Sequence, residues 1–231
     1  MKVALCISGQ PRFYKQGFLE IKKTFIDRYD CDVFLHTWHS DSLIGKGYDS
    51  THSGAGNLIG VVEEDTPNSL VTLYKPVSFL IDEPKNFHHN ITFTPENIRA
   101  GVQPNNIFSM FYSIKKSIDI KKEYEVLNNF EYDLTVRLRF DSAFSDYIEL
   151  EKYSPEQLYV LRSGNPAVYY DIFGFGTSTL MDYYGNTFNN IEKVWNPDKH
   201  FIGENILTDS LVLDGVPVLK LDYQVDLIRG V

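Results

Sequence analysis

The chain has 231 residues, of which 43% are hydrophobic, and it carries a formal net charge of −9. A chain of this length suits one α/β domain and buries enough surface to fold without a metal ion or a disulfide bridge. The acidic excess repels a phosphate backbone, which excludes general nucleic-acid binding, although a local group of arginines can still hold a small anion.

The apolar runs of the sequence are short. None approaches the ~18 residues of a membrane span. The first run, residues 3–7, is too short for a signal peptide and leads directly into Gly9 and Pro11. Cys6 and Cys31 stand outside any metal-binding spacing. We therefore expect a cytoplasmic protein without a membrane span and with two unreactive core thiols.

The first elements in chain order are a strand, a helix and a strand. Residues 3–7 form a continuous apolar run, which is typical of a strand buried on both faces, and they end at the segment 8–12. A helical pattern covers 13–26, and a second apolar strand covers 31–35, ending at His36. This order predicts a βαβ unit.

The middle of the chain combines irregular segments with one long helix. Residues 39–69 are rich in Gly, Ser, Asp and Asn and predict an irregular or mobile excursion. A third strand is predicted at 77–81, a loop at 83–105 and the longest helix at 106–128.

The last hundred residues return to strands and helices. The predicted strands are 132–141, 157–161, 172–175 and 216–221, and the predicted helices are 177–184 and 202–213. Together these elements predict a single α/β domain over 1–231, Rossmann-like, with a mostly parallel central sheet flanked by helices.

The segment after the first strand is the first candidate site. Ligands of open α/β sheets bind beyond the carboxyl ends of the strands. Gly9 permits a close approach of the backbone, and Arg12 can hold a phosphate through two hydrogen bonds. The segment matches neither a dinucleotide fingerprint nor a phosphate-binding P-loop. An ordinary strand-to-helix turn is the alternative interpretation.

The end of the second strand supplies His36 and Trp38. Adjacent parallel strands bring them beside the first segment, where Trp38 can stack on a base or a sugar. The alternative for His36 is a core histidine bonded to the backbone.

The strand 132–141 ends in Arg137, Arg139 and Asp141. Two arginines on one face of a central strand are costly to bury unless they are paired. The three residues form either a diphosphate and metal site or an internal ion-pair network. A carboxylate at this position can help to hold Mg²⁺ or Mn²⁺ on a diphosphate.

Two further carboxylates are candidates. Asp171 precedes two glycines that leave room for a sugar, and it can bind a hydroxyl or act as a base. Glu204 opens a predicted helix and can take a proton from an acceptor hydroxyl, or it can simply interact favourably with the helix dipole.

In their order along the chain these segments resemble the GT-A class of nucleotide-sugar glycosyltransferases, and among them small members from viruses and bacterial polysaccharide loci. The resemblance rests on the segments 8–12, 32–38, 137–141, 171–176 and 203–205. It implies a single GT-A-like domain whose part from about 150 to 231 binds the acceptor. It further implies hexosyl transfer in polysaccharide biosynthesis, from a nucleoside diphosphate sugar to a glycan hydroxyl, with inversion if Glu204 is the base.

The resemblance assigns roles to individual residues. The nucleotide sugar is assigned to Ser8, Gly9, Gln10, Arg12, His36, Trp38, Arg137, Arg139 and Asp141. A Mn²⁺ or Mg²⁺ ion is assigned to Asp141, and catalysis to Glu204 and Asp171. These enzymes usually carry an Asp-x-Asp signature, and this chain has Phe140-Asp141-Ser142 instead. One metal carboxylate is thus missing or replaced. Either Asp141 suffices for the metal together with diphosphate oxygens and water, or Arg137 and Arg139 neutralise the leaving group without a metal.

Two other functions remain open at this stage. One is a different nucleotide-dependent transferase, such as a nucleotidyltransferase or a sulfotransferase; the absence of a phosphate-loop lysine argues against the latter. The other is a non-catalytic carbohydrate-binding or interaction domain that keeps the fold.

Overall fold

The structure, a computed structural model, describes residues 1–48, 60–99 and 101–229. The strands within these ranges are β1 (Lys2–Gly9), β2 (Asp30–Trp38), β3 (Ser78–Asp82), β4 (Leu134–Leu138), β5 (Ser142–Phe144), β6 (Leu158–Arg162), β7 (Tyr169–Gly176), β8 (Val218–Leu221) and β9 (Val225–Leu227). The α-helices are α1 (Tyr14–Ile21), α2 (Thr66–Tyr74), α3 (Pro104–Asn128), α4 (Ser178–Val194) and α5 (Gly203–Leu213).

Seven strands form one sheet, in the order β3-β2-β1-β4-β7-β6-β8. β1 pairs in parallel with β2 and with β4, and β2 pairs in parallel with β3. β7 runs in the opposite direction and is antiparallel to both β4 and β6, whereas β6 and β8 are parallel. The carboxyl ends of β1, β2, β4 and β6 therefore lie at the same edge as the beginning of β7.

Helices cover both faces of this sheet. α1 and α2 pack on one face around Leu5 and Phe173, and α3, α4 and α5 pack on the other around Cys6 and Phe111. β1 is buried on both faces, which explains its continuous apolar sequence. None of the helices in the described ranges is long and apolar enough to cross a membrane.

The predicted α/β class, with a mostly parallel central sheet flanked by helices, is confirmed. Every strand and helix predicted from the sequence corresponds to an element of the structure. Within the predicted excursion 39–69, residues 49–59 lie outside the described residues, and the helix α2 occupies its end.

The helix α2 forms because it can bury one side against α1 and the core on that face of the sheet. Leu70 and Tyr74 lie one turn apart and are both buried, and the Tyr74 hydroxyl donates a hydrogen bond to the Tyr14 carbonyl at 2.9 Å. Pro67 occupies the first turn of the helix, a position where its missing N–H costs nothing. The polar composition of 39–69 conceals this short pattern.

Candidate functional site

The segment after β1 forms a tight turn at the carboxyl edge of the sheet. Gly9 has a φ of 111°, which favours glycine, and its amide donates to Ser113 Oγ at 2.8 Å. The Arg12 amide donates to the Gln10 carbonyl at 2.8 Å, and the Arg12 guanidinium donates to Gln10 Oε1. Ser8 is buried, and its Oγ has no hydrogen-bond partner within the described residues. The four residues predicted here thus share one turn.

His36 connects three elements at the same edge. The ring is fully buried, with Nδ1 at 2.7 Å from Ser113 Oγ and Nε2 at 3.3 Å from Asp82 Oδ2. Because the Asp82 carboxylate can only accept, Nε2 carries the proton of the neutral ring and Nδ1 accepts from the Ser113 hydroxyl, which also lies 3.4 Å from the His36 carbonyl oxygen. Burial lowers the pKa of His36 to about 4, although Asp82 acts in the opposite sense, so the ring is neutral at neutral pH.

Trp38 is a buried part of the same region. Trp38 is only 7% exposed, and its ring stacks on that of Tyr112, with the two ring centroids 5.4 Å apart. The edges of His36 and Phe87 complete its surroundings. In this structure Trp38 packs the end of β2 against Tyr112 of α3. Its role as a ligand contact stays a prediction.

Arg137 is a buried cation with unfilled hydrogen-bonding capacity. It is 1% exposed, and its Nε and Nη1 have no hydrogen-bond partner within the described residues. In the sheet register it lies between Cys6 of β1 and Gly174 of β7. Burial lowers the pKa of Arg137, and Tyr184 and Asp171 act in the opposite sense. A guanidinium keeps its charge in such surroundings, so the unfilled donors are costly.

Asp141 is a carboxylate bound by guanidinium groups. It is 1% exposed, and Arg139 donates to its two oxygens from Nε and Nη2, both at 2.8 Å. Arg229 Nη1 lies 3.3 Å from Oδ2. Burial favours the protonated acid, but the charges of Arg139, Arg12 and Arg229 outweigh it and hold the pKa of Asp141 below its ordinary value. Asp141 therefore stays ionised; it accepts hydrogen bonds from Arg139 and Arg229 and is influenced by the charge of Arg12.

These surroundings do not suit a divalent cation at Asp141. Mg²⁺ and Mn²⁺ coordinate carboxylate oxygens, and both oxygens of Asp141 already accept hydrogen bonds from cations. Across the described ranges, no group of three or more His, Cys, Asp or Glu side chains could hold a metal ion. A metal ion at Asp141 stays a prediction, and the residues around it fit a bound anion better.

Asp171 is presented by a bulge in β7. The register passes from Val160 opposite Gly174 to Leu161 opposite Tyr170, so one step along β6 faces four steps along β7. The pairing with β4 also ends at Gly174. The three residues that begin at Asp171 consequently have no register partner in either neighbouring strand. Bulges are common beside active sites because they redirect a side chain.

The Asp171 carboxylate lies against the first turn of α5. A Cβ at Gly203 would fall 2.0 Å from Asp171 Oδ2 and 2.8 Å from Met110 Cε, so the contact requires glycine. The positive end of the helix dipole favours the carboxylate at this position. Glu204 follows, and burial together with the charge of Asp171 raises the pKa of Glu204 to about 7, while Arg99 acts in the opposite sense. A fraction of Glu204 is therefore protonated at neutral pH.

The ends of β4 and β9 and the beginnings of β7 and α5 meet in one group of charges. Asp171 and Asp141 both act electrostatically on Arg137, and Tyr170 is influenced by Glu204 as well as by Asp171. We call this group the edge cluster; its members are Arg12, Arg137, Arg139, Asp141, Asp171, Glu204 and Arg229. His36 is connected to it through Ser113 and the turn at Gly9.

Two members of this region are absent from the residues predicted from sequence. Arg229 reaches Asp141 because β9 pairs with β5, and the Ile228 amide donates to the Asp141 carbonyl at 2.7 Å. Nothing in the local sequence marks Arg229. Ser113 does carry a signal, since it is a hydroxyl on the buried face of α3, where a polar side chain needs a partner.

The chain matches no protein-family model, and the search of curated proteins returns no match.

Proposed function

We propose that the chain transfers a sugar from a nucleoside diphosphate sugar to a hydroxyl group of a glycan, with inversion at the anomeric carbon. The observation that carries this proposal is the meeting of arginines with the carboxylates Asp171 and Glu204 at the carboxyl edge of the sheet. Open α/β sheets bind their ligands at this edge. The resemblance to GT-A glycosyltransferases and the confirmed α/β fold class support the same activity.

The donor occupies the side of the site formed by β1 and β4. The turn at Gly9 and Arg12 receives the nucleotide, and Arg137 and Arg139 face its diphosphate. These guanidinium groups stabilise the negative charge that develops on the leaving diphosphate, and they are already in place before the reaction.

Glu204 acts as the general base, and Asp171 positions the acceptor hydroxyl. As the acceptor oxygen attacks the anomeric carbon, its proton passes to the Glu204 carboxylate. The bond from that carbon to the phosphate oxygen breaks, the oxygen keeps the electron pair, and the nucleoside diphosphate leaves. Attack from the side opposite the leaving group inverts the configuration. A base is most effective when its pKa lies near the working pH, which the pKa of Glu204, at about 7, satisfies.

The choice of donor is tested by thermal stability. We expect one family among UDP-, GDP- and dTDP-sugars to raise the melting temperature, because a ligand that binds only the folded state stabilises it. Stabilisation by none of them, combined with stabilisation by a glycan, would support a non-catalytic carbohydrate-binding domain instead.

The role of Glu204 is tested by comparing two substitutions on one helix. Glu204→Gln removes the base, and we expect kcat to fall by at least about 100-fold, within the usual contribution of a general base. Asp209 lies on the same helix and pairs with Lys199, which precedes that helix, so Asp209→Asn serves as the control and should retain activity. Retention of full activity by Glu204→Gln in a folded protein would remove Glu204 from the mechanism.

A further inference from the structure

We propose that the four arginines of the edge cluster form an anion site that binds a diphosphate group without a divalent cation, with Asp141 as the counter-ion that orients Arg139 and Arg229. The identification of this anion as the diphosphate of a sugar nucleotide rests on the proposed function. The existence of the anion site rests on the arrangement of the charges alone.

The edge cluster concentrates positive charge within an acidic chain. Arg139 and Arg229 both donate to Asp141, and the charge of Arg12 acts on the same carboxylate. Across the whole edge cluster, four guanidinium groups face the three carboxyl groups of Asp141, Asp171 and Glu204, and Glu204 is partly protonated at neutral pH. The net positive charge of the cluster suits an anion, although the chain as a whole carries −9.

Two buried side chains at this edge have polar atoms without partners. Arg137 Nε and Nη1 and Ser8 Oγ make no hydrogen bond within the described residues, and both side chains are at most 2% exposed. Cys6 is the register partner of Arg137, so Ser8 projects from the same face of the sheet, two residues nearer the edge. Buried polar atoms are normally satisfied, so these donors indicate a bound acceptor that belongs to a ligand.

The geometry of the donors favours two linked phosphates over one. Arg137 lies in β4 and Arg139 directly follows the end of that strand, so at most about 7 Å of main chain separates the two residues. Each guanidinium can offer two parallel N–H groups to a phosphate, and arginine keeps its charge when buried. The position that a divalent cation would need at Asp141 is taken by Arg139, which donates to both carboxylate oxygens.

The test is calorimetric titration of the full chain with inorganic pyrophosphate, in EDTA and again in excess Mg²⁺. We expect binding in EDTA that is at least about tenfold tighter than that of orthophosphate and that does not become tighter with Mg²⁺, since Mg²⁺ itself complexes free pyrophosphate. Binding that is detectable only with Mg²⁺ would overturn the inference.

Three substitutions locate the site. Arg137→Met and Arg229→Gln should each weaken pyrophosphate binding, the first by at least about tenfold because its donors are fully desolvated. Arg28→Met, an exposed arginine at the opposite edge of the sheet, is the matched control and should bind normally. Arg229 is half-exposed, so its substitution tests the inference independently of any change in stability that Arg137→Met causes. Unchanged affinity in both site variants would overturn the inference.

Failure of this inference and failure of the proposed function give different results. Pyrophosphate binding in EDTA without any sugar transfer would keep the anion site and reject glycosyl transfer. Sugar transfer that requires added Mg²⁺ or Mn²⁺, together with metal-dependent pyrophosphate binding, would keep glycosyl transfer and reject the metal-independent site.

Discussion

Acid destabilises the fold through His36, and the size of the effect follows from its surroundings. The ring is fully buried against Ser113 and Asp82, with the charges of Lys85 and Lys116 nearby. Burial, assisted by the two lysines and opposed by Asp82, lowers its pKa from 6.5 to about 4. Between these values the unfolded chain binds a proton that the folded chain does not, so stability is lost as the pH falls from 6.5 towards 4. The shift corresponds to about 3 kcal/mol.

The measurement is urea unfolding of the wild type and of His36→Gln from about pH 7 to about pH 4. Other titrating groups act in both proteins, so the difference between their free energies of unfolding isolates the histidine. We expect the wild type to be the more stable at neutral pH, and its advantage to shrink by about 3 kcal/mol on acidification. Asp82 is the group most closely coupled to this titration, because its carboxylate accepts the hydrogen bond from His36 Nε2.

His200→Gln provides the control, since His200 is exposed. The difference in free energy of unfolding between His200→Gln and the wild type should not change with pH as the difference for His36→Gln does. A difference between wild type and His36→Gln that stays constant to within about 0.5 kcal/mol across this pH range would show that His36 is not held neutral by the fold, and the hydrogen-bond order through Ser113 would then be wrong.

Four further outcomes follow from the structure. Gly17→Ala should lower the free energy of unfolding by about 2 kcal/mol or more, because its Cβ would lie 1.7 Å from the Phe140 carbonyl oxygen, whereas Gly164→Ala, with nothing within 4 Å, should be neutral in the same urea titration. Arg137→Met should raise the melting temperature, since an apolar side chain replaces a buried cation with unfilled donors; a fall would contradict the cost assigned to that cation. Glu204→Gln should stabilise the fold above about pH 7 and not below about pH 4.5. The pKa of Glu204 is higher in the folded chain than in the unfolded chain, so the wild type loses stability as the pH rises between these two values. Urea unfolding of both proteins at the two extremes measures the difference. If Glu204 is the base, kcat of the wild type should fall with acid below about pH 7 along the titration of one group.

The sequence predicts the strands and helices well because burial imposes a visible pattern. β1 is enclosed on both faces, and such a strand must be apolar throughout. Gly9 and Arg12 are selected as candidates because ligands of open α/β sheets bind beyond the carboxyl ends of the strands. Arg137, Arg139 and Asp141 stand out because charged residues in a central strand are costly without partners.

Other features leave no local trace in the sequence. An apolar strand reads the same in either direction, so the reversal of β7 is decided only by its pairing with β4 and β6. Alternation along β7 cannot place Asp171, because the bulge interrupts the two-residue period. Arg229 joins Asp141 across 88 residues through the pairing of β9 with β5, a long-range contact that no short window contains.

The bulge in β7 allows the distance between the Asp171 carboxylate and Arg137 to change without a change in the pairing of the sheet. A side chain in an ordinary strand is fixed by the hydrogen-bond ladder on each side, whereas Asp171 is located by its contacts with Gly203 and by the hydrogen bond from Tyr184 to its carbonyl. A residue added or removed between Asp171 and Gly174 would shift the carboxylate relative to Arg137 while leaving the paired ends of β4 and β6 in register. The separation of Arg137 and Asp171 can therefore be redesigned by changing only the number of residues in the bulge.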